Sequence, residues 1–505
     1  MTEQERYLQA KESFTEQGQL LYAARLLERA ARLFPETIAV IISEQEKISY
    51  RELFAAACAI SNHLVTSGIQ PGDKVMILYE NSIQFYKAYY GAWQTGAIVV
   101  PVNVFLHENE VSHIMQDADP ALIFVSDAQA PKISPTYTKT IISAAQLTEI
   151  VQNPSPQPFT VQELPRDEMC ALLYTSGTTG VPKGVMLSSN NIMINIIQGV
   201  ARFNFTGHER IYCALPLFHS FTQNTCVWAS AACGVTVILV PSISRTTLLA
   251  ACALAPTIVL GVPGLFALFC RLKASFKAVR YFISGGDALP DKIRMYFELV
   301  YGRKICNGYG LSETSPFVSV DFDDVIEPTS NVGKPMIGID YEIRDTSQDG
   351  EHLIGVLWLK GPNVMLGYYK APEATAAVLH DGWFNTGDLA YIDKRGKIVI
   401  CGREKDLIAH KGIKIYPQEI ENLLMAHPQV MMAAVIGVKN GLEEYPVAYI
   451  VLKEPLENAA QILHTYCTQH LAAYKIPRQF IIVENLPLTS TGKIDKKELK
   501  KNHPA

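Results

Sequence analysis

The sequence predicts an α/β protein with a large N-terminal unit and a smaller α+β unit at its C-terminal end, and three observations carry that expectation. Up to about residue 335, short apolar runs alternate with segments of helical apolar spacing, the rhythm of parallel strands joined by helices that pack on their faces. Beyond that point GVLWLKGPNVMLGYY, WFNTGDLAYID and KIVICGREKD bring turn residues at short intervals, which suits a β subdomain. From about residue 403 a smaller unit begins, with helices predicted over 417–426 and 457–472, strands at VMMAAVIGV and PVAYIVLK, and a lysine-rich tail. The division is therefore 1–402 and 403–505.

Taken in order, residues 17–35 carry apolar residues at helical spacing and predict an opening helix. IAVII at 38–42 and KISY at 47–50 read as a strand pair, followed by a helix over 51–68. KVMILY (74–79) is a strand, 82–96 a helix and IVVPV (98–102) a strand. The same rhythm returns at TVILVP, TIVLGVP, AVRYFISGG and KICNGYG. Sites in such sheets lie in loops beyond the carboxyl ends of the strands.

Composition narrows the class. Of 505 residues, 48% are hydrophobic and 18% charged, which excludes a disordered chain, and a net charge of −5 leaves no basic footprint for nucleic acid. None of the ten cysteines forms a CxxC pair, and Cys226, Cys233, Cys252 and Cys270 sit in apolar runs, as small buried hydrophobes of a reducing compartment do. The N-terminus is polar, and the apolar stretches around 226–240 and 257–270 fall short of the roughly 20 residues that span a bilayer. A cytoplasmic protein without a transmembrane segment is expected, with association at a membrane surface left open. The sequence sets no oligomeric state.

The sharpest signal is ALLYTSGTTGVPKGVMLS at 171–188. An apolar run ends at Tyr174, and Thr175, Ser176, Gly177, Thr178, Thr179 and Gly180 follow. Glycines let backbone N–H groups approach phosphate oxygens, hydroxyls add donors, and Lys183 supplies a point charge. The GxxxxGK[ST] phosphate loop is not matched, because Gly184 follows Lys183.

YTSGTTGVPKGV resembles the signature of the adenylate-forming superfamily, which includes acyl-CoA synthetases, peptide-synthetase adenylation domains and firefly luciferase. NGYGLSET (307–314), FNTGDLA (384–390), GREKDLIAHKGIKIYPQEIE (402–421) and LPLTSTGKIDK (486–496) resemble four further motifs of that family, in its order and spacing. The resemblance runs from about residue 20 to 496. It implies stacked α/β sheets in the large domain and a small domain that moves as a lid. It implies two steps: a carboxylate attacks the α-phosphate of ATP to give acyl-AMP and pyrophosphate, and a thiol then displaces AMP. Such transfer needs positioning and charge neutralisation more than covalent help.

The resemblance also implies roles. Glu313 would bind Mg²⁺, a hard cation that wants carboxylate oxygen, with the Thr175 hydroxyl assisting. Tyr309 would stack on adenine, Asn307 would meet its amino edge, and Gly286, Gly308 and Gly310 would line the nucleotide. Ser312, where the family usually has Thr, would offer its hydroxyl to the α-phosphate. Asp388 and Arg403 would hold the ribose. Lys493 would bridge carboxylate and α-phosphate during adenylation. Lys405 matches the hinge about which the small domain turns, and Gly412 would flank the CoA channel.

For the acid, His219 in LPLFHSF stands where acyl- and aryl-CoA synthetases carry a histidine near the substrate carboxylate. Residues 211–241 contain no Asp, Glu, Lys or Arg, which leaves an amino acid's ammonium without a partner. The lining expected is Phe221, Val262, Gly264, Gly285 and Phe317, apolar or small, while Trp228 is expected in the core. Gly264 and Thr222 depart from the family's common Thr and Gly, and Ser189, Ala409 and Lys496 from its common His, Lys and Arg. The function expected is activation of a medium- or long-chain fatty acid and its transfer to coenzyme A. An aryl acid, an acyl carrier protein as acceptor, and an inactive nucleotide-binding homologue are the alternatives.

Overall fold

The computed structural model describes residues 1–154, 158–175, 182–205, 207–323, 330–349, 351–410, 413–440, 443–488 and 494–503. Two large sheets dominate it. One has seven strands in the order Gly367–Tyr368, Lys183–Ser188, Met169–Thr175, Ile98–Pro101, Lys74–Leu78, Leu122–Val125 and Thr140–Ser143; the five from Met169–Thr175 onward are parallel. The other has eight, in the order Phe317–Val320, Ile305–Gly310, Tyr281–Ser284, Ile258–Gly261, Arg210–Cys213, Thr236–Leu239, Ile38–Ile41 and Lys47–Ser49, parallel except at its two ends.

The period-two alternation of each strand explains the layers. Val75 and Ile77 face the main core, whereas Met76 and Leu78 face a second core on the other side of their sheet. In the eight-stranded sheet Ile211, Val237, Ile258 and Leu260 join the same main core, and Tyr212, Ile238 and Val259 a third. Both faces of each sheet are thus apolar, which is why these strands read as unbroken hydrophobic runs. The helices Tyr50–Thr66, Ile83–Trp93 and Ser189–Phe203 bury residues in the shared middle layer. Trp228 lies there too, its indole donating to the Tyr89 hydroxyl at 2.8 Å.

An antiparallel sheet follows, built on Asp340–Asp349, His352–Lys360, Trp383–Ile392 and Ile398–Arg403. One turn, Glu404–Asp406, leads to the hairpin Ile408–His410/Ile413–Ile415 and a three-stranded sheet of Val430–Asn440, Glu443–Leu452 and Gln479–Ile482. Helices Pro417–Ala426 and Ala459–His470 cover it with a core of their own. This last part touches the large one at specific points. Lys292 Nζ donates to the carbonyls of Met425 (3.2 Å), His427 (3.3 Å) and Val430 (3.1 Å), at the end of the Pro417–Ala426 helix. Lys475 joins Asp349 at 3.4 Å to Glu419 at 2.8 Å.

One expectation needs correction. Residues 17–35 are not one helix: a hairpin turn at Gln17 (φ +51°) and Gly18 (φ +78°) precedes a single turn at Ala23–Arg25 and the helix Leu26–Leu33. Left-handed backbone at two adjacent residues ends any helix there. The polar N-terminus holds a helix, Glu3–Ser13, started by a reciprocal cap between Thr2 and Glu5. None of the ten cysteines is in a disulfide. Among the described residues no helix is long and apolar enough to cross a membrane.

Candidate active site

Thr175 ends one strand and Lys183 begins its antiparallel neighbour, and the two stand opposite each other across the ladder. The Thr175 hydroxyl donates to the Lys183 carbonyl at 3.5 Å. Ser176, Gly177, Thr178, Thr179 and Gly180, expected to cradle phosphate between them, lie outside the described residues. So do Lys493 and Gly412.

Asp388 is the centre of a charged corner. Arg403 lies directly across the ladder from it, and its Nε meets Asp388 Oδ1 at 2.7 Å. The Tyr309 hydroxyl donates to Asp388 Oδ2 at 2.5 Å. Asp388 is buried, and its charge raises the Arg403 guanidinium above its ordinary pKa. Burial first, then Asp388, push the Tyr309 phenol well above the usual range, so it stays a donor. Arg403 also feels the charge of Glu313, which places Asp388, Arg403 and Glu313 in one neighbourhood. Burial depresses the Lys405 pKa, and Asp388, Arg403 and Lys497 act on it electrostatically, so it borders the same corner.

Glu313 accepts from the Tyr368 hydroxyl at 2.8 Å, and Lys183 Nζ stands 5.1 Å from the Tyr368 ring centre. The loop that carries Glu313 is pinned by buried amides. Asn195 holds both backbone groups of Phe317, Asn224 donates to the Ser315 carbonyl at 2.8 Å, and Asn363 donates to the Thr314 carbonyl at 2.8 Å. Asn307 donates through Nδ2 to the Asn331 carbonyl at 3.0 Å, which turns its amide oxygen away from that contact. Gly310 of this strand is required by space, since a Cβ there would stand only 2.0 Å from the Pro316 carbonyl; one on Gly308 would make a tight 3.3 Å contact with the Ser284 carbonyl.

The acyl side adjoins this loop. Ser312 donates to the Ser220 hydroxyl at 2.9 Å, and Ser220 follows His219, whose Nδ1 accepts from the Phe221 N–H at 3.2 Å. Phe221 meets Phe317 edge-on at 5.7 Å and covers Gly285, where a Cβ would stand 3.3 Å from the ring. Gly286 holds φ +81°, with open space beside it. Val262 precedes the helix Pro263–Leu272, and nothing lies within 4 Å of a Cβ on Gly264. Ser189 and Thr222 are buried and point elsewhere: Ser189 accepts from Ala23 N at 2.8 Å, and Thr222 donates to the His219 carbonyl at 2.8 Å. Lys496 pairs with Glu421 at 2.6 Å.

These donors suit a nucleotide-borne cation. Among the described residues no group of three or more His, Cys, Asp or Glu could hold a metal alone. A single carboxylate such as Glu313, with a hydroxyl such as Thr175, would suit Mg²⁺ if nucleotide oxygens and water completed its shell.

Tyr368, Ser220, Asn195, Asn224 and Asn363 went unnoticed in the sequence. The asparagines left one signal: Asn191 and Asn195 stand four apart inside the apolar helix SNNIMINII, and a polar residue on a buried face is informative.

Comparison with known proteins follows the same outline. Residues 27–369 match the family model described as AMP-binding enzyme, and residues 419–493 that of the AMP-binding enzyme C-terminal domain. The long-chain-fatty-acid–CoA ligase of Bacillus subtilis (strain 168) is 29% identical over 94% of this chain and 93% of its own length. The feruloyl-CoA synthase of an Amycolatopsis species is 31% identical, covering 94% and 97%. The crystal structure of ATP-bound MatB from Rhodopseudomonas palustris is 28% identical, covers 95% of this chain and 99% of its own, and superposes with a TM-score of 0.86; apo MatB superposes with 0.77.

Proposed function

The chain belongs to the AMP-binding enzyme family, and from that premise we propose that it activates a fatty acid with ATP and passes the acyl group to coenzyme A. The observation that carries this is the convergence of Lys183, Glu313, Asp388 and Arg403 on one corner through Tyr309 and Tyr368. In this reading Asp388 and Arg403 grip the ribose, Asn307 and Tyr309 take the base, and Lys183 neutralises phosphate. Mg²⁺, held by Glu313 and the Thr175 hydroxyl, supplies further charge neutralisation when bound. The substrate carboxylate, oriented beside His219, attacks the α-phosphate; its oxygen–phosphorus bond forms as the bond to pyrophosphate breaks. Lys493 balances the charge that develops between them. Turning about Lys405 then brings Gly412 to the site and admits the CoA thiol, whose sulfur takes the acyl carbon as AMP leaves. The likeness to ATP-bound MatB supports the nucleotide part of this reading.

Fatty acid is favoured by a charge-free 211–241 segment. An aryl acid is the second reading, favoured by the Phe221–Phe317 edge pair beside Gly285, two aromatic rings that a substrate ring could meet. The two relatives that act on a long-chain fatty acid and on ferulate are similarly distant. Their names as CoA ligases support CoA over a carrier protein. Pyrophosphate release over acetate to palmitate, benzoate, cinnamate and phenylalanine, with and without CoA, tests the reading. Specificity constants should climb along the aliphatic series, since each buried CH₂ is worth about 0.8 kcal/mol. An aryl acid above every fatty acid rejects the fatty-acid reading, and no acid-dependent release at all rejects the ligase.

A further inference from the structure

Tyr368 lies in none of the five motifs, yet its side chain meets both Lys183 and Glu313. It sits in the two-residue strand Gly367–Tyr368, which pairs with Lys183–Ser188 so that Tyr368 stands opposite Val185. That register brings its ring under Lys183, with Nζ 5.1 Å from the ring centre, a cation–π distance. Its hydroxyl reaches across to Glu313 Oε1 at 2.8 Å. Tyr368 is itself anchored. Its N–H donates to the Thr375 hydroxyl at 2.9 Å, and a Cβ on the preceding Gly367 (φ +141°) would meet Thr375 at 2.8 Å. Glu313 is held from behind as well, its carbonyl accepting from Met365 N at 2.9 Å.

We infer that Tyr368 is a positioning residue that aims the Glu313 carboxylate at the magnesium ion and parks Lys183 for phosphate. The inference rests on the nucleotide reading proposed above. A carboxylate free to rotate loses orientation when it captures a cation; one whose Oε1 is already engaged presents its other oxygen in a set direction. The aromatic face holds the Lys183 ammonium through its quadrupole, a hold weak enough to yield to phosphate oxygens. The two halves are separable. Tyr368→Phe removes the hydroxyl and keeps the ring; Tyr368→Leu removes both.

The test is calorimetric titration of Mg²⁺ into the full-length enzyme loaded with α,β-methylene-ATP, beside titration of AMP without metal. Tyr368→Phe should weaken Mg²⁺ binding about tenfold, the scale of a lost partner behind a metal ligand, with AMP affinity held within about twofold. Tyr368→Leu should in addition weaken the analogue when no Mg²⁺ is present. In a Glu313→Gln background Tyr368→Phe should add little to the Mg²⁺ loss, because the hydroxyl acts through that carboxylate. A Tyr368→Phe titration that overlays the wild type overturns the inference, as does an equal loss of AMP affinity, which marks a general disturbance of the fold, or an additive effect in the Glu313→Gln background. Failure of the wild-type protein to bind the analogue with Mg²⁺ rejects the nucleotide reading instead.

Discussion

Replacing Gly310 by alanine tests how tightly the geometry of the site is held. Gly310 ends the Ile305–Gly310 strand, and the loop after it carries Ser312 and Glu313. A Cβ there would stand 2.0 Å from the Pro316 carbonyl oxygen and 2.9 Å from its carbon. That obstacle is backbone, and it is tied down: the same carbonyl accepts from Leu311 N at 3.1 Å and from the Thr314 hydroxyl at 2.7 Å. To reach an ordinary 3.4 Å contact the strand and the returning chain must part, and Glu313 moves with the loop. Overpacking of this kind costs about 1–3 kcal/mol of stability. A displacement of about 1 Å in a positioned group costs on the order of 100-fold in rate. Gly310→Ala should therefore remain folded at 25 °C, melt several degrees lower, and lose about two orders of magnitude in kcat for acid-dependent pyrophosphate release. Gly199→Ala, within the helix Ser189–Phe203, is the control, because a Cβ there would meet only Phe203, at an ordinary 4.0 Å, and the fold should not notice it. A Gly310→Ala enzyme with wild-type kcat would refute the claim that this loop's position sets the rate.

Three further outcomes are expected. Asp388→Asn keeps the shape but halves the acceptor character that serves Arg403 and Tyr309; since a hydrogen bond to a charged group is worth about 1.5–3 kcal/mol, KM for ATP should rise at least tenfold, and an unchanged ATP titration removes Asp388 from the nucleotide site. Lys292→Ala removes a cation that caps the Pro417–Ala426 helix across the domain junction, so adenylation should slow roughly fivefold while transfer from supplied acyl-adenylate holds or quickens; no change in either half-reaction shows the contact to be idle. Lys493→Ala should depress adenylation by orders of magnitude and spare thioester formation from acyl-adenylate, and equal loss in both steps contradicts its proposed role.

The strands of the two large sheets were legible because burial on both faces leaves runs such as KVMIL with no polar interruption. The opening helix was misread because helical spacing over 20–34 masked the turn at Gly18, and Glu3–Ser13 went unseen because it buries only Ala10 and depends on its cap rather than an apolar stripe. Lys183, Glu313, Asp388 and Arg403 were legible through motifs whose spacing is local. Tyr368 was not, because its partner Glu313 lies 55 residues away and nothing around GYY points to it. The amides that pin the Glu313 loop are equally non-local: Asn195 reaches Phe317 across 122 residues, and Asn224 reaches Ser315 across 91. Local pattern names the groups proposed to do chemistry; which distant side chains touch them is decided by how the sheets stack.

The central claim is that a carboxylate oxygen becomes bonded to the α-phosphorus of ATP. Turnover of a fatty acid labelled with oxygen-18 in its carboxylate, in the presence of CoA, tests this directly by mass spectrometry of the products. Attack on the α-phosphate leaves one labelled oxygen in AMP and none in pyrophosphate when the thiol takes the acyl group. Label in inorganic phosphate, with ADP as the nucleotide product, would mean attack at the γ-phosphate and would contradict the roles given to Lys183, Glu313, Asp388 and Lys493.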